Sequence, residues 1–250
     1  MASNDWNADR YVKHAAFVSE YGSAVANLLG DISGKKVLDL GCGDGRLTQE
    51  LVDKGAKVVG IDASESMIEA AREKGLEAYV LDALEMNYRE TFDSVFTNAT
   101  LHWIPDHPRL ARNVLTALKP GGEFVGEFGG HGNVAAINTG IRGILAKHDY
   151  DWQGKKPVQY PSVRRFESVL VEAGFKVTYI ELIPRPTPLP TGIRGWFETF
   201  GKSFLEDVPM DDRPLLIDEI EEILAPALRD EYGNWTADYI RLRFKAIREQ

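Results

Sequence analysis

The chain has 250 residues, 44% hydrophobic and 27% charged, with a formal net charge of −9. This composition fits one soluble globular domain with a cap or insertion, and the acidic balance argues against a nucleic-acid backbone or an anionic membrane as the main partner, since both reward clustered Lys and Arg. A single cysteine, Cys42, excludes an internal disulfide and suits a reducing cytoplasm, while the absence of a basic-then-apolar leader and of any bilayer-length apolar run reads as cytoplasmic.

Residues 1–33 carry a mostly helical rhythm, and helices ahead of the first strand would cover the mouth of a pocket. Trp6, Tyr11 and His14 are the side chains there that could reach a ligand. Val37-Leu38-Asp39-Leu40 is then a short apolar run of the kind a buried parallel strand needs. It opens into Gly41-Cys42-Gly43-Asp44-Gly45 and a helical pattern from Arg46. Glycines at alternate positions allow a sharp turn and let a ligand approach the backbone, with the positive end of the next helix beside it. A nucleotide-like ligand is expected. A dinucleotide fingerprint would need glycine at 46, where this chain has Arg46.

Lys57–Asp62 is a second buried strand, and its terminal Asp62 lies seventeen residues beyond Gly45, near the spacing at which a carboxylate reaches ribose hydroxyls in doubly wound folds. Residues 66–74 form a helix stopped by Gly75, and Glu77–Ala83 a third strand ending at Asp82. Phe92–Ala99 is the fourth strand and runs into Asn98-Ala99-Thr100-Leu101-His102-Trp103. A helix opened by Pro105 and Asp106 ends at Lys119-Pro120-Gly121-Gly122, before a fifth strand over 123–129. Residues 130–161 show no regular pattern. A helix over 162–174 and a sixth strand over 175–183 follow. Pro184, Pro186, Pro188 and Pro190 then suggest an extended connector, since alternate prolines forbid an interior strand. Beyond it lie helices over 192–200 and 213–232. The closing alternation of Ile240, Leu242, Phe244 and Ala246 against Arg241, Arg243 and Lys245 is a seventh strand.

The pattern Asp39-x-Gly41-x-Gly43-x-Gly45 resembles motif I of class I S-adenosylmethionine-dependent methyltransferases. The segment from Asn98 to Pro108, with Trp103-Ile104-Pro105-Asp106-His107 inside it, and the Arg194-Gly195-Trp196 stretch resemble the trans-aconitate methyltransferase group. The resemblance implies a doubly wound α/β fold with a seven-stranded, mostly parallel sheet, its last strand inserted antiparallel between the fifth and sixth, and a helical cap. It divides the chain into N-terminal helices (1–33), an S-adenosylmethionine-binding core (34–184), a cap insertion (185–235) and a final core strand (236–250). It also implies cofactor contacts from Asp39, Gly41, Cys42, Gly43, Gly45, Asp62, Ala63, Asn98 and Tyr11, with Asp82 and Ala83 at the adenine.

The substrate is expected to be a small molecule, and the likeness to the trans-aconitate group puts carboxylate O-methylation first. A carboxylate is ionised at neutral pH and needs no base. A phenol, amine or activated carbon does, and His102, which falls where the related enzymes often have glutamine, is the candidate base or acceptor-orienting donor. Trp103 and Trp196 are candidate pocket walls, and Arg142 and Arg194 candidate partners for an acidic substrate. A nicotinamide-dependent oxidoreductase is the alternative from another class. The five histidines show no metal-ligand spacing, and oligomeric state is not legible.

Overall fold

The computed structural model describes residues 23–151, 158–201 and 204–249. Its sheet has seven strands, β1 (Lys36–Leu40), β2 (Lys57–Asp62), β3 (Ala78–Val80), β4 (Phe92–Asn98), β5 (Leu118–Gly129), β6 (Phe175–Leu189) and β7 (Trp235–Arg248). Their order is β3-β2-β1-β4-β5-β7-β6, and β3 to β5 pair in parallel. The helices are α1 (Arg46–Asp53), α2 (Glu65–Glu73), α3 (His107–Ala117), α4 (Ala135–Lys147), α5 (Val163–Ala173), α6 (Gly192–Phe200) and α7 (Arg213–Leu228). The doubly wound expectation holds, and β7 takes its place between β5 and β6.

Among the described residues the chain divides into two compact units. The first contains residues 23–131, 158–183 and 242–249, and the second residues 132–151, 184–201 and 204–241.

In the first unit the strands are apolar on both faces, as a sheet covered on both sides demands. Leu38, Val59, Val95 and Phe124 join one core with α3 and α5, and their neighbours Val37, Val58, Phe96 and Val125 join another with Leu29, Ile32 and Leu51. Phe128, Phe166 and Phe244 meet edge to face in the first of these cores. The α2 and α5 helices start at Ser64 and Ser162, whose hydroxyls accept the backbone N–H groups of Met67 and Arg165.

Three expectations need correction. The Lys119–Gly122 stop lies inside β5: α3 ends at Ala117, and between the pairs Phe92↔Leu118 and Ser94↔Glu123 the β5 strand bulges out over residues 119–122. The irregular stretch after Gly130 contains α4, thirteen residues long. β6 continues to Leu189 through its prolines, which an edge strand tolerates because one row of its N–H groups has no neighbour.

In the second unit α4 lies against α7. A Cβ at Gly140 would come 2.8 Å from Leu224 Cδ2, so glycine sets the closeness of the two helices. Lys147 and His148 both reach Glu219 Oε2, at 2.8 and 3.0 Å. The start of α4 is tied to β7, where Asp238 Oδ2 accepts the Ala136 N–H at 2.7 Å. Among the described residues no helix is long and apolar enough to cross a membrane.

Candidate active site

Strand β1 delivers the chain to the glycine turn. Gly41, Gly43 and Gly45 all have left-handed φ, 76°, 55° and 81°, where side-chain-bearing residues are strained. They have different neighbours. A Cβ on Gly41 would overlap the side chain of Thr100, and one on Gly45 would overlap Leu76 and come 3.1 Å from Ala71 Cβ. A Cβ on Gly43 would meet nothing within 4 Å among the described residues. Gly41 therefore admits the loop after β4, Gly45 admits α2 and the turn that follows it, and Gly43 alone faces open space that a ligand could occupy.

The turn is fastened by carboxylates. Asp62, at the end of β2, accepts the Gly43 N–H through Oδ2 at 3.1 Å and the Ser64 N–H through Oδ1 at 2.9 Å. Burial raises its pKa against the effect of these backbone bonds. Asp44 is buried and pairs with Arg46 and Lys74, each at 3.0 Å. Asp39 is only 2% exposed, and its Oδ2 accepts the Thr48 hydroxyl at 2.7 Å. Desolvation pushes its pKa up to about 7; the Thr48 bond opposes the rise and nearby Asp62 adds to it. Asp39 thus lies beneath the turn, inside the fold. Cys42 packs on Gly60, where a Cβ would come 2.8 Å from its sulfur, and burial raises its thiol pKa far above the ordinary range. It is a small buried residue.

Beside Asp62, Ala63 is exposed. Asp82 caps its own turn, with Oδ1 accepting the Leu84 N–H at 2.8 Å. The Ala83 carbonyl accepts from Asn113 at 3.3 Å, and α3 thereby holds this strand end. Asp62 ends β2, whereas β3 is shorter than its sequence reads and stops at Val80, level with Asp62, so that Asp82 lies in the turn two residues beyond it.

The loop after β4 completes the arrangement. Ala99 takes a left-handed φ of 55°, a strained conformation for alanine, and its N–H donates to Glu127 O at 2.8 Å. Thr100 Oγ1 lies 3.0 Å from Asn98 O and 3.3 Å from Gly41 O, bridging this loop to the glycine turn. His102 follows in a 3₁₀ turn, Leu101–Trp103, and is buried. Its Nδ1 accepts the Gly129 N–H at 3.3 Å, and its carbonyl accepts the Gln159 N–H at 3.0 Å. The rings of Trp103 and Tyr160 lie 5.0 and 5.9 Å from the imidazole. Trp103 is 39% exposed and is no core residue.

The family described as a methyltransferase domain matches residues 38–126, from β1 into β5. A methyltransferase from Schizosaccharomyces pombe, itself uncharacterised, is 39% identical over the full length of both chains. The chain belongs to the class I S-adenosylmethionine-dependent methyltransferases. The trans-aconitate 2-methyltransferase of Mycolicibacterium gilvum is 30% identical over 76% of this chain and 79% of its own, and that of Escherichia coli 28% over 80% and 84%. In fold, this methyltransferase matches a Bacillus halodurans structure with TM-score 0.66 and 17% identity, covering 92% of this chain and 100% of that one. A Haemonchus contortus phosphoethanolamine N-methyltransferase matches with TM-score 0.61 and 21% identity, covering 92% of this chain and 53% of that one.

The residues of the turn fit the methyltransferase cofactor: a Cβ on the left-handed Gly43 would meet nothing among the described residues, and the acidic end of β2, Asp62, stands beside it. The sequence-predicted substrate residues are less concentrated. Arg194 is exposed and already bonded to Asp218 and, at 2.6 Å, to Glu221 Oε2, so it is engaged within the second unit. Arg142 is an exposed residue of α4. Trp196 is buried, donates its Nε1–H to Tyr239 OH at 2.9 Å and packs on Phe197 and Phe200. Tyr11, with Trp6 and His14, lies outside the described residues. Sequence reasoning did not single out Thr100, Gly129 or Tyr160, whose contacts with the site come from folding and have no local signature.

Proposed function

We propose that this methyltransferase transfers a methyl group to a carboxylate of a small organic acid, as its trans-aconitate-methylating relatives do by name. The observation that carries the reading is the bond from Gly129 to His102. A backbone N–H cannot accept, so Nδ1 holds a lone pair and the neutral ring carries its proton on Nε2. In that tautomer Nε2 carries an N–H and can donate a hydrogen bond; it has no lone pair with which to take a proton. His102 is therefore an orienting donor, and an acceptor without need of a base suits it. A carboxylate, with pKa near 4, is such an acceptor.

When bound, S-adenosylmethionine supplies a methyl carbon on a good sulfonium leaving group. A carboxylate acceptor would form the new O–C bond with its own lone pair as the C–S bond breaks, and no proton would have to move. The protein's contribution is placement, for which effective molarity can supply roughly 7–11 kcal/mol. Gly43 would leave room for the methionine part, Asp62 would have lone pairs to spare for the ribose hydroxyls after serving Gly43 and Ser64, and Asp82 with Ala83 would meet the adenine. Asp39 supports the turn from below, and Asn98 and Ala63 border the same space. His102 and Trp103 are read as facing the acceptor.

The test is product analysis by mass spectrometry, with S-adenosylmethionine and a panel of carboxylic acids, phenols and amines. Methyl esters are expected, trans-aconitate being the first acid to try. Methylated amines or phenols in preference to esters would overturn the reading.

A further inference from the structure

The short turn that carries His102 is held by donors from outside itself. Leu101 O, which accepts the Ile104 N–H at 3.1 Å, also lies 2.8 Å from Nε2 of His107, the first residue of α3. His102 O accepts the Gln159 N–H at 3.0 Å, and the Gln159 side chain donates through Nε2 to Pro105 O at 2.6 Å. The segment that brings Gln159 is fastened in its turn just beyond β5, where the His131 N–H donates to Pro161 O at 2.9 Å. With the Gly129 N–H on Nδ1, the first unit meets His102 from α3, from β5 and from the chain ahead of α5. A 3₁₀ turn has poor hydrogen-bond geometry of its own, so its shape depends on such donors.

His107 is an unexpected residue for its position. It is only 4% exposed and lies between Phe128 and Phe166, whose rings meet it edge to face at 5.8 and 5.5 Å. A phenyl ring would extend that aromatic cluster, whereas a buried imidazole is unfavourable unless it is hydrogen-bonded. Burial lowers its pKa, with the Leu101 bond opposing, so the ring stays neutral at pH 7. A carbonyl can only accept, which puts the single proton of that neutral ring on Nε2. What the imidazole adds over a phenyl ring is therefore one N–H, aimed at the carbonyl next to His102.

We propose that His107 is a positioning residue that sets the direction of the His102 ring, with Gln159 as its second support. The inference rests on the reading of His102 as the orienting donor and deepens it. His107 touches neither acceptor nor cofactor in this role. It acts by fixing the Leu101 carbonyl, and with it the turn that aims the His102 imidazole.

The experiment observes the histidine ring nitrogens by nitrogen-15 NMR in full-length protein saturated with S-adenosylhomocysteine, the His102 signals being those absent from His102→Gln. In wild type, His102 and His107 should each report a single neutral form with the proton on Nε2; a proton on Nδ1 of His107 overturns the assignment without any variant. His107→Phe keeps the contacts with Phe128 and Phe166 and removes the donor, and His107→Gln returns an N–H near the position of Nε2. In the Phe variant His102 is expected to report a mixture of both neutral forms, and kcat with trans-aconitate to fall by up to about a hundredfold at little change in KM, as a misplaced group would cause. The Gln variant should recover the wild-type signal and most of the turnover, with S-adenosylhomocysteine affinity unchanged in both. A wild-type His102 signal and wild-type kcat in a Phe variant that merely melts lower would make His107 a structural residue and overturn the assignment. Where the Phe variant does not fold, Gln159→Leu, at a half-buried position, decides: a displaced His102 signal supports the clamp and an unmoved one overturns it. A His102 signal that depends on His107 in a protein forming no methyl ester retains the positioning role and removes the carboxylate reading.

Discussion

Gly129 aims its backbone N–H at Nδ1 of His102 across 3.3 Å, and this contact decides which nitrogen of the imidazole carries the proton. A side chain that retains an N–H donor can substitute for the ring. His102→Gln is expected to keep turnover within about tenfold of wild type, whereas His102→Phe, which has no donor, falls by about a hundredfold. A general base contributes roughly 10²–10⁴-fold, so that role would predict equal, large losses for both. Steady-state rates of ester formation with saturating acid separate the two. A Gln variant as slow as the Phe variant counts against the donor role.

The glycine turn predicts a split between affinity and stability. Gly43→Ala meets no atom within 4 Å but must hold a φ of 55°, costing about 1–2 kcal/mol. Its methyl group enters the cradle, and S-adenosylhomocysteine affinity should fall at least tenfold. Gly45→Ala adds overlap with Leu76 and Ala71 to the same backbone strain, so about 2–4 kcal/mol of stability should go. Urea denaturation and calorimetry on the two variants check this. Equal stability losses would mean that Gly43 is packed as tightly as Gly45.

Asp62 holds the turn through the Gly43 and Ser64 N–H groups, and the proposed ribose contact would draw on the same carboxylate. Asp62→Asn keeps the shape and surrenders acceptor capacity. Its affinity for S-adenosylhomocysteine should fall about 10–100-fold, or roughly 1.4–2.8 kcal/mol. Repeating the titration with 2′-deoxy ligand isolates the ribose contact: the deficit should shrink. A deficit of the same size for both ligands would assign Asp62 to loop support alone.

How much of this was legible follows from where the physics is local. Buried parallel strands are apolar runs, and β1 and β2 end in Leu40 and Asp62 as their sequences read, while β4 stops at Asn98, one residue short of the Ala99 expected. Motif I gave the turn, though three glycines looked alike until Thr100 and Leu76 distinguished Gly41 and Gly45 from Gly43. Helix α4 went unread within the irregular stretch 130–161; its Gly140 is needed for the approach of Leu224, a contact made across more than eighty residues. The alternation along β7 was read as one pattern, with Arg241 on the face opposite Ile240 and Leu242. The buried set shifts register between Arg241 and Leu242, both buried, and this puts Arg241 inside. Arg194 looked equally available, but Asp218 and Glu221 on α7 occupy it.

Asp39 gives stability a pH dependence of definite sign. Its folded pKa of about 7 stands above the unfolded 3.8, because burial beneath the turn disfavours the charge more than the Thr48 bond favours it. Below about pH 4 both states are protonated and the residue has no effect. As pH rises from there, the unfolded chain ionises first and the folded protein loses stability; above about 7 the loss is complete. A shift of about three pH units at 1.36 kcal/mol each sets a ceiling of about 4 kcal/mol. Asp39→Asn can still accept from Thr48 and carries no charge. Relative to wild type it should gain nothing near pH 4 and about 2–4 kcal/mol at pH 8, measured by urea denaturation of ligand-free protein across that range. A difference between the two proteins that stays flat with pH would mean Asp39 is already ionised in the fold throughout.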